Sequence, residues 1–462
     1  MMELTWEEIH KVLGGKLRGT PANQRITSVV IDSRKVVPGS LFVAMRGERV
    51  DSHQFIAECY EKGAAACLCE EEYAAANEIC VPEGKLLWVL PDTVGAMGDL
   101  AAYYRKKLGI PVIGVTGSVG KTTAKDMIAA ALSGGLRVFK TPGNLNNKYG
   151  LPLAIFQIEE GTQAAVLEMG MNHFGEIRYL SHIAKPDIGV ITNIGVSHIE
   201  FLGSQEGILK AKTEMFEEMS DSGSAFLCGD DPLLLSYSRK ADLPVWRYGF
   251  GEECEVRALC WEQRGDEIEA RVSFRGEETI LRTKALGRHM VYAMLAAYGI
   301  GRRLGLSSEE LSRGIASFTP SAMRMNVYEN DRFRILDDSY NASPASMQAA
   351  IDVLCAQTFR PESRRVAVLG DMLEMGFYSE KGHRQVGRYA AEHPVDVLVG
   401  VGKDAAWIVE EAKKIRPTLT TYSFENTETL TKKLFSLLRA DDIILLKASR
   451  RMALDTVVQM IK

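Results

Sequence analysis

A glycine-rich turn that ends in a lysine and two threonines carries the clearest chemical signal in the chain. It follows the apolar run Val112–Thr116 and reads Gly117-Ser118-Val119-Gly120-Lys121-Thr122-Thr123. Glycines let backbone amides surround phosphate oxygens at the start of a helix. Lys121 would reach the β- and γ-phosphates, and the Thr122 hydroxyl would bind Mg²⁺. The spacing is shorter than the common G-x₄-G-K-[ST] motif, because Val115 stands at its first glycine. An ordinary strand-to-helix turn is the alternative, but the combination predicts a site for a nucleoside triphosphate.

Two later strands end in side chains that suit a metal ion. Glu168 ends the run Ala164–Glu168, and His198 lies just beyond the run Asp187–Asn193. Ligands of open α/β sheets bind at the carboxyl ends of the strands, where the glycine turn also lies. Each side chain alone would suit a surface or capping position. Together, beside a phosphate site, they are predicted to hold Mg²⁺.

The elements that must position these groups alternate between short β-branched runs and longer amphipathic segments, which predicts α/β layering. The main predicted strands are Ile26–Ile31, Leu41–Met45, Ala65–Cys69, Leu86–Leu90, Val112–Thr116, Ala164–Glu168, Asp187–Asn193, Arg334–Asp337, Val366–Leu369, Val395–Val399 and Ile443–Lys447. The predicted helices are His53–Lys62, Thr93–Lys107, one from about Lys121, and Met290–Leu304. Alternating residues in Cys254–Thr283 predict an antiparallel extension of the middle sheet.

The chain has 462 residues, enough for about three domains, and we place them at 1–108, 109–318 and 319–462. With 55 Lys and Arg against 60 Asp and Glu the net charge is −5, which argues against a nucleic-acid protein with a basic surface. Stretches without a charge are too short to span a membrane. The acidic N-terminus does not resemble a signal peptide, and the eight cysteines form no C-x-x-C pair. We therefore expect a cytosolic protein.

These motifs together resemble the ATP-dependent Mur ligase family, and the resemblance covers essentially the whole chain. It implies a three-domain architecture with a UDP-sugar domain, a central P-loop ATPase domain and a Rossmann-like C-terminal domain for the incoming amino acid or dipeptide. The short G-x-x-G-K-T-T loop has the form that the family uses. The resemblance is closest to the member that adds D-alanyl-D-alanine to UDP-N-acetylmuramoyl-tripeptide.

Residue roles follow from the resemblance, motif by motif. In the first domain, the segments around Asp32-Ser33-Arg34 and Leu41–His53 imply UDP-sugar contacts from Ser33, Arg34, Gly47, Asp51 and His53. In the second, Thr141–Asn147 implies a nucleotide contact from Asn144 and substrate contacts from Asn146 and Asn147. In the third, Ala322–Met325 and Ile335–Pro344 imply nucleotide contacts from Arg324, Asp338, Tyr340 and Asn341. Leu369–Gly376 and Leu446–Met452 imply dipeptide contacts from Asp371, Glu374, Lys447, Ser449 and Arg450.

The resemblance also implies the chemistry. A substrate carboxylate would attack the γ-phosphate of ATP, and the dipeptide amine would attack the resulting acyl phosphate. ATP and two Mg²⁺ ions are the implied cofactors, with Lys121, His198, Lys212 and Arg324 as catalytic residues. Composition alone favours a solvated face for Lys212, but it aligns with a lysine that is carbamylated in several family members. Lys210 is the alternative register, and a monomer is expected.

One departure concerns the nucleotide base. Met290 and Ala293 stand where the family typically has the two asparagines of His-Asn-x-x-Asn, so neither adenine-binding asparagine is present and His289 is only a weak candidate for this contact.

Three other classes of protein compete with this interpretation: a sister ligase or folylpolyglutamate-type ligase, a P-loop GTPase or kinase, and a non-catalytic nucleotide-binding partner. The segments Asp371–Gly376 and Lys447–Arg450 argue against the first. The combination of Glu168, His198 and Lys212 argues against the second. The third would have no reason to combine the phosphate lysine, both metal-ligand candidates and Arg324.

Overall fold

Three α/β units follow one another in the computed structural model, which describes residues 2–21 and 25–462. The N-terminal unit is a five-stranded sheet of order β1-β5-β4-β3-β2, parallel except for β1. Its strands are β1 Lys16–Gly19, β2 Ser28–Val30, β3 Ser40–Val43, β4 Ala66–Glu70 and β5 Leu86–Leu90. Its helices are α1 Trp6–Leu13, α2 Ile56–Glu61, α3 Glu71–Ala76 and α4 Thr93–Leu108.

The middle unit is a nine-stranded sheet of order β14-β13-β12-β11-β10-β9-β6-β8-β7. Its strands are β6 Val112–Thr116, β7 Val138–Lys140, β8 Ala164–Glu168, β9 Ile188–Ile191, β10 Ser224–Cys228, β11 Val245–Gly249, β12 Val256–Arg264, β13 Glu267–Phe274 and β14 Glu277–Lys284. Its helices are α5 Lys121–Leu132, α6 Gly150–Ile155, α7 Glu176–Ala184, α8 Ile199–Leu202, α9 Gln205–Thr213, α10 Pro232–Ser238, α11 His289–Arg303 and α12 Ser308–Ala316. Strands β12 to β14 pair antiparallel at one edge, which confirms the predicted extension.

The C-terminal unit is a six-stranded sheet of order β15-β16-β20-β17-β18-β19, parallel except for β15. Its strands are β15 Asn326–Glu329, β16 Phe333–Asp337, β17 Arg365–Gly370, β18 Val397–Val401, β19 Thr420–Phe424 and β20 Asp442–Lys447. Its helices are α13 Pro344–Ala356, α14 Ser379–Glu392, α15 Ala406–Ile415, α16 Thr427–Leu437 and α17 Asp455–Ile461. Buried side chains cover both faces of this sheet, as a parallel sheet requires.

Helix α4 joins the N-terminal and middle units, because its buried side chains belong to one apolar core that extends from Met2 to Phe318. The Tyr104 hydroxyl donates to the Ile158 carbonyl over 2.7 Å. The Arg105 guanidinium donates to the Ala184 carbonyl over 2.7 Å and to Asp187 over 2.8 Å. The described helices include none with the length and apolar character that a bilayer crossing requires.

Predicted elements differ from the structure mainly at their ends. The predicted helix His53–Lys62 is a 3₁₀ turn, Ser52–Phe55, followed by α2, because Asp51 caps the turn at the amide of His53. The predicted strand Val395–Val399 begins two residues later in the structure, at β18. The predicted strand Ile26–Ile31 is shorter, since Ile26 forms an isolated bridge with Leu4.

Candidate active site

Two cavities meet at the glycine-rich turn after β6. The larger has a volume of about 670 Å³ and lies between the middle and C-terminal units. The smaller, about 420 Å³, extends from the same turn toward α11 and α13. Residues that line both cavities are Val119, Gly120, Arg324, Ser346 and Lys447. A ligand held at the turn would therefore reach into both spaces.

The glycine-rich turn is shaped by the strand beside it. Gly117 has φ of +150°, and a Cβ atom there would lie 1.8 Å from Thr192 Oγ1. Asn193 accepts from the Val119 amide over 3.0 Å and donates to its carbonyl over 2.8 Å. The Val119 amide therefore already has a hydrogen-bond partner within the protein. Helix α5 begins after Gly120, which offers no capping side chain, so the first amides of α5 are left for an anion.

Lys121 lies at the start of α5, and its ammonium donates to the Gly117 carbonyl over 2.8 Å. Burial lowers its pKa, while the nearby Glu168 carboxylate opposes that shift. Thr122 lines the larger cavity and Thr123 the smaller. The buried Ser118 hydroxyl has no hydrogen-bond partner among the described residues. The turn thus holds a cation and an unpaired hydroxyl at one helix start, an arrangement suited to phosphate.

Glu168 and His198 both line the larger cavity. Glu168 Oε1 accepts from the Asn146 amide over 2.8 Å, while Oε2 is buried without a hydrogen bond in the described chain and lies 3.9 Å from the Lys125 ammonium. His198 Nδ1 is likewise buried without a hydrogen bond to the described residues, and the Glu374 carboxylate lies 3.4 Å from it. Burial, and then the charges of Lys121 and Lys212, lower the pKa of His198 to about 3, so its imidazole is neutral.

One open carboxylate oxygen and one neutral imidazole are donors that fit a divalent cation. The residues that the structure covers contain no group of three or more His, Cys, Asp or Glu arranged to hold a metal. An Mg²⁺ ion with few protein ligands would complete its shell with phosphate oxygens and water, as this ion commonly does.

The two candidate lysines on α9 differ sharply. Lys212 is only 1% exposed, and burial followed by the charge of Lys121 lowers its pKa well below the ordinary value. Lys210 is exposed, with its ammonium 5.9 Å from the centre of the Phe174 ring. Lys212 is therefore the lysine buried beside the predicted metal ligands.

Arg324 enters the cleft from the C-terminal unit. Its guanidinium stacks 4.0 Å from the centre of the Tyr340 ring and donates to Thr122 Oγ1 over 3.4 Å. It thus contacts the residue that follows the phosphate lysine. Asn341 also lines the larger cavity.

Lys447 is buried between the two cavities and lines both. Its ammonium donates to Asp338 Oδ2 over 2.5 Å and to the Asn341 carbonyl over 2.9 Å. Burial lowers the pKa of Lys447, and the Asp338 carboxylate opposes this shift. Asp338 lines the smaller cavity. Lys447 therefore borders both spaces, and its contact with the dipeptide stays a prediction.

The predicted dipeptide segment is a braced loop. Asp371 is 8% exposed, and its carboxylate accepts from the Ala405 amide over 2.7 Å, so it supports the loop and does not face a ligand. The Ser449 hydroxyl accepts from the Leu373 amide over 2.8 Å, which fixes the same loop. Arg450 is exposed and paired with Asp455. Direct contacts from Asp371 and Arg450 are thus not supported.

Glu374 of this loop contacts the middle unit. Its carboxylate lies 3.4 Å from His198 Nδ1, and both residues have left-handed backbone, with φ of 61° and 63°. Such conformations in non-glycine residues cost free energy and are concentrated at functional sites. The buried His383 holds the loop by accepting from the Met372 amide over 3.0 Å.

The predicted UDP contacts lie at the carboxyl edge of β2 and β3, outside both cavities. Ser33 and Arg34 form a 3₁₀ turn with an exposed guanidinium, and Gly47 is exposed beside Asp51. His53 is a correction. It is 1% exposed, and both of its ring nitrogens are used by Asp51 and by the Glu70 amide. It braces this edge and has no free atom for a ligand.

The segment Thr141–Asn147 lines the larger cavity with Asn146 and Asn147. Asn144 is exposed and lines neither cavity, which does not support a nucleotide contact. Asn146 orients Glu168, as described above. Asn147 accepts from the amides of Tyr149 and Gly150.

Sequence reasoning missed one polar link across the cleft. Asp126 on α5 is buried and accepts from the Ser321 hydroxyl, at the start of the segment that carries Arg324. Lys140 pairs with the other Asp126 oxygen over 2.8 Å. The sequence signal for this link was Asp126, a carboxylate that follows the phosphate lysine by about one turn of α5.

The chain matches three family models. They are the Mur ligase family catalytic domain at residues 25–105, the Mur ligase middle domain at 115–301 and the Mur ligase glutamate ligase domain at 323–450. The UDP-N-acetylmuramoyl-tripeptide–D-alanyl-D-alanine ligase of Bacillus subtilis is 36% identical over 97% of each chain.

Solved structures agree. MurF from Acinetobacter baumannii has a TM-score of 0.90 at 29% identity, covering 99% of this chain and 98% of that one. MurF ligase from Thermotoga maritima, solved in complex with ADP, has a TM-score of 0.81 at 28% identity, covering 94% and 96%.

Proposed function

The chain belongs to the Mur ligase family, and from this we propose that it joins D-alanyl-D-alanine to UDP-N-acetylmuramoyl-tripeptide while ATP is cleaved to ADP and phosphate. The observation that carries the proposal is the meeting of two units at one cleft. A phosphate loop with Lys121, the open donors of Glu168 and His198, and Arg324 from the C-terminal unit all border the larger cavity. Full-length similarity to a ligase of this activity supports the choice of substrates.

The first step is phosphoryl transfer from ATP. The terminal carboxylate of the tripeptide forms a bond to the γ-phosphorus, and the bond to the bridging oxygen of ADP breaks. Both reactants are anions, so cations must bring them together. Lys121 and the free amides of α5 would hold the phosphates, and Arg324 would approach the γ-phosphate from the opposite side of the cleft.

Glu168, His198 and the Thr122 hydroxyl would hold Mg²⁺, which neutralises phosphate charge and polarises the γ-phosphoryl group when bound. Asn146 fixes the Glu168 carboxylate by donating to Oε1, which leaves Oε2 directed elsewhere.

Lys212 is proposed to be carbamylated. Its lowered pKa favours the neutral amine, which is the form that adds to CO₂ and then loses a proton to give a carbamate anion. Without this change the cleft would hold Lys121, Lys212 and Arg324 around a single open carboxylate. A carbamate at Lys212 replaces one of these cations by an anion suited to a second Mg²⁺.

The second step is attack of the dipeptide amine on the acyl phosphate, with loss of phosphate and a proton. The loop 371–376 contacts His198, a residue that lines the larger cavity, through Glu374. A carboxylate at this position suits the ammonium group of an incoming amino acid or dipeptide. The acyl phosphate must be kept from water, which contact between the middle and C-terminal units would achieve.

The test is phosphate release by the purified protein with ATP, Mg²⁺ and UDP-N-acetylmuramoyl-tripeptide. Parallel reactions receive D-alanyl-D-alanine or a single diamino acid. Release that depends on the dipeptide, with a pentapeptide product by mass, is the expected result. Phosphate release only with another amino acid would contradict the proposal and would indicate a sister ligase. Phosphate release that needs no acceptor would lead to the same conclusion.

A further inference from the structure

The smaller cavity is the space left for the nucleoside of the bound nucleotide. It begins at Gly120 and Thr123 of the phosphate loop and leads away from the carboxylate and imidazole of the larger cavity. Its walls come from α11, from the segment that joins the middle and C-terminal units, and from α13. They are mainly apolar: Pro232, Met290, Ala293, Phe318, Pro320, Met325, Ala345, Ala349 and Ala350. Such walls suit the flat faces of a purine ring.

Most polar side chains of this cavity are already used by the protein. Asn193 holds the Val119 backbone with both ends of its amide. The Tyr292 hydroxyl donates to Asp230 over 3.0 Å. Further groups in such bonds are Thr192 to Val119, Tyr248 to Ile191 and Ser321 to Asp126. Among the described residues that line this cavity, no side-chain amide is left to form a paired contact with one particular base.

The carboxylate oxygens that are still free to accept hydrogen bonds in this cavity do not favour one purine over another. Asp230 Oδ1 accepts only the Gly251 amide, and Asp231 Oδ2 only the Ile194 amide, so each oxygen has a lone pair left. Adenine brings an amino donor to such an acceptor, and guanine brings ring and amino donors. Both bases can therefore satisfy a carboxylate.

His289 is a further polar side chain at this cavity. It is exposed at the cleft, and its ring takes part in no hydrogen bond with the described residues. A neutral imidazole offers one donor and one acceptor and can exchange them by changing tautomer. It can thus serve the 6-amino group of adenine or the 6-oxo group of guanine equally well.

We propose that the smaller cavity recognises a purine by shape and stacking, so that this enzyme uses GTP and ITP as phosphoryl donors beside ATP. Met290 and Ala293 are the residues that determine this broad specificity, because both line the cavity and neither can hydrogen-bond to the base. The inference rests on the proposed function, since turnover supplies its readout.

The size of the effect follows from the kind of pocket. A site built to hydrogen-bond one base rejects an analogue by roughly 10⁴–10⁵, because its own polar groups are left unpaired. An apolar pocket discriminates by only about 10² or less. We therefore expect kcat/KM for ATP to exceed that for ITP or GTP by less than about 10²-fold.

The experiment measures kcat/KM for ATP, ITP and GTP under identical conditions, together with Kd values for ADP, IDP and GDP. ITP exchanges the 6-amino group for an oxo group, and GTP adds the 2-amino group as well. Met290→Asn and Ala293→Asn introduce an amide at the two positions. Met290→Leu is the matched variant, because it changes the side chain at the same position without adding a polar group.

The expected result is a small ATP preference in the wild type, an increase of roughly tenfold or more with either asparagine, and no such increase with Met290→Leu. An ATP preference above about 10² in the wild type, in both kcat/KM and Kd, would overturn the inference and leave the ligase function intact. If ATP itself supports no ligation, the proposed function fails first, and the Kd ratios then decide the inference separately. The wild-type ratios suffice if an asparagine variant does not fold.

Discussion

At the scale of the residue, the cleft holds more positive charge than it can balance. The pKa values of Lys121, Lys212 and Lys447 are all lowered by burial, and Arg324 adds a fourth cation. Only Lys447 has a close carboxylate partner, Asp338. Holding cations in this way costs stability, and the cost is recovered when anionic phosphates arrive. The excess positive charge therefore suits a site that binds an anionic substrate.

Removing either phosphate-binding cation should slow turnover strongly. Lys121→Ala loses a preorganised charge at the loop, and we expect a loss of roughly 10²–10³ in kcat. Arg324→Ala removes charge supplied by the other unit, and we expect roughly 10³. The measurement is phosphate release, with thermal unfolding to show that each variant folds. Arg332→Ala, an exposed arginine of the same unit, should be unchanged. Turnover at the wild-type rate in either cleft variant would contradict the role assigned to that residue.

Carbamylation makes the two lysines of α9 separable. Removal of CO₂ from the buffer should slow the wild type, and bicarbonate should restore its rate. Lys212→Ala should be slow under both conditions, whereas Lys210→Ala should behave like the wild type because this side chain is exposed. Initial rates and the intact mass of crystals test this. A wild type insensitive to CO₂ and unmodified at Lys212 would refute the proposal.

The His198 imidazole gives a pH dependence of stability. Its pKa is about 3 in the folded protein, against about 6.5 in an unfolded chain. Between these values the unfolded state binds more protons, so the free energy of unfolding decreases as the pH falls through this range. The slope from this one group approaches about 1.4 kcal/mol per pH unit. His198→Gln, which cannot titrate, should show a shallower slope from pH 6.5 to 5 in urea unfolding. Equal slopes would show that His198 is not held neutral.

At the scale of the element, helix α5 does two tasks. Its first turn presents free amides beside the phosphate loop, and its second turn holds the buried Asp126 carboxylate. That carboxylate accepts from Ser321, three residues before Arg324. The helix that binds phosphate thus also fixes the segment that brings the opposing arginine.

Ser321→Ala should therefore weaken catalysis without touching a reacting group. Loss of a hydrogen bond to a charged partner is worth about 1.5–3 kcal/mol, and we expect kcat/KM for ATP to fall by roughly tenfold or more. Ser317→Ala is the matched control, because this hydroxyl donates only to the Gly314 carbonyl of its own helix. Steady-state kinetics measure the effect. Equal kcat/KM in both variants would mean that the Asp126 contact does not position Arg324.

At the scale of the whole molecule, α4 makes the N-terminal and middle units one folding body. Arg105 bridges from this helix to the Ala184 and Lys185 carbonyls and to Asp187, which in turn accepts from the Val112 amide. This network lies at the base of β6, the strand that carries the phosphate loop. The C-terminal unit has two apolar clusters, and Leu286 of the middle unit packs into one of them.

Breaking the α4 network should separate the two units during unfolding. Arg105→Ala removes several charged hydrogen bonds at once, and we expect a loss of about 2–4 kcal/mol in the free energy of unfolding. Calorimetry should show the N-terminal and middle units unfolding together in the wild type and at different temperatures in the variant. Lys106→Ala, exposed on the same helix, should leave the transition unchanged. A variant that still unfolds in one joint transition would show that the Arg105 network does not couple the two units, and a wild type with two separate transitions would contradict the single-body interpretation.

Sequence patterns were sufficient to predict a structural element wherever its form depends on residues close to it in the chain. The glycine turn, the start of α5 and the alternation of β13 depend on neighbours within a few residues, so their form could be predicted. Glu168 and His198 could be brought to one edge because parallel strands share their carboxyl ends. The boundaries at 108/109 and 318/319 stay predictions, since the shared core of α4 crosses the first of them.

Tertiary structure decided which polar residues are free to act. His53, Asp371 and Asn146 are chemically suited to ligands, but each is engaged by a partner 17 to 34 residues away, at Glu70, Ala405 and Glu168. A single sequence does not show such long-range hydrogen bonds, because the same side chain can brace a loop or bind a ligand. The choice between Lys210 and Lys212 was open for the same reason, since burial depends on how α9 packs against the rest of the middle unit.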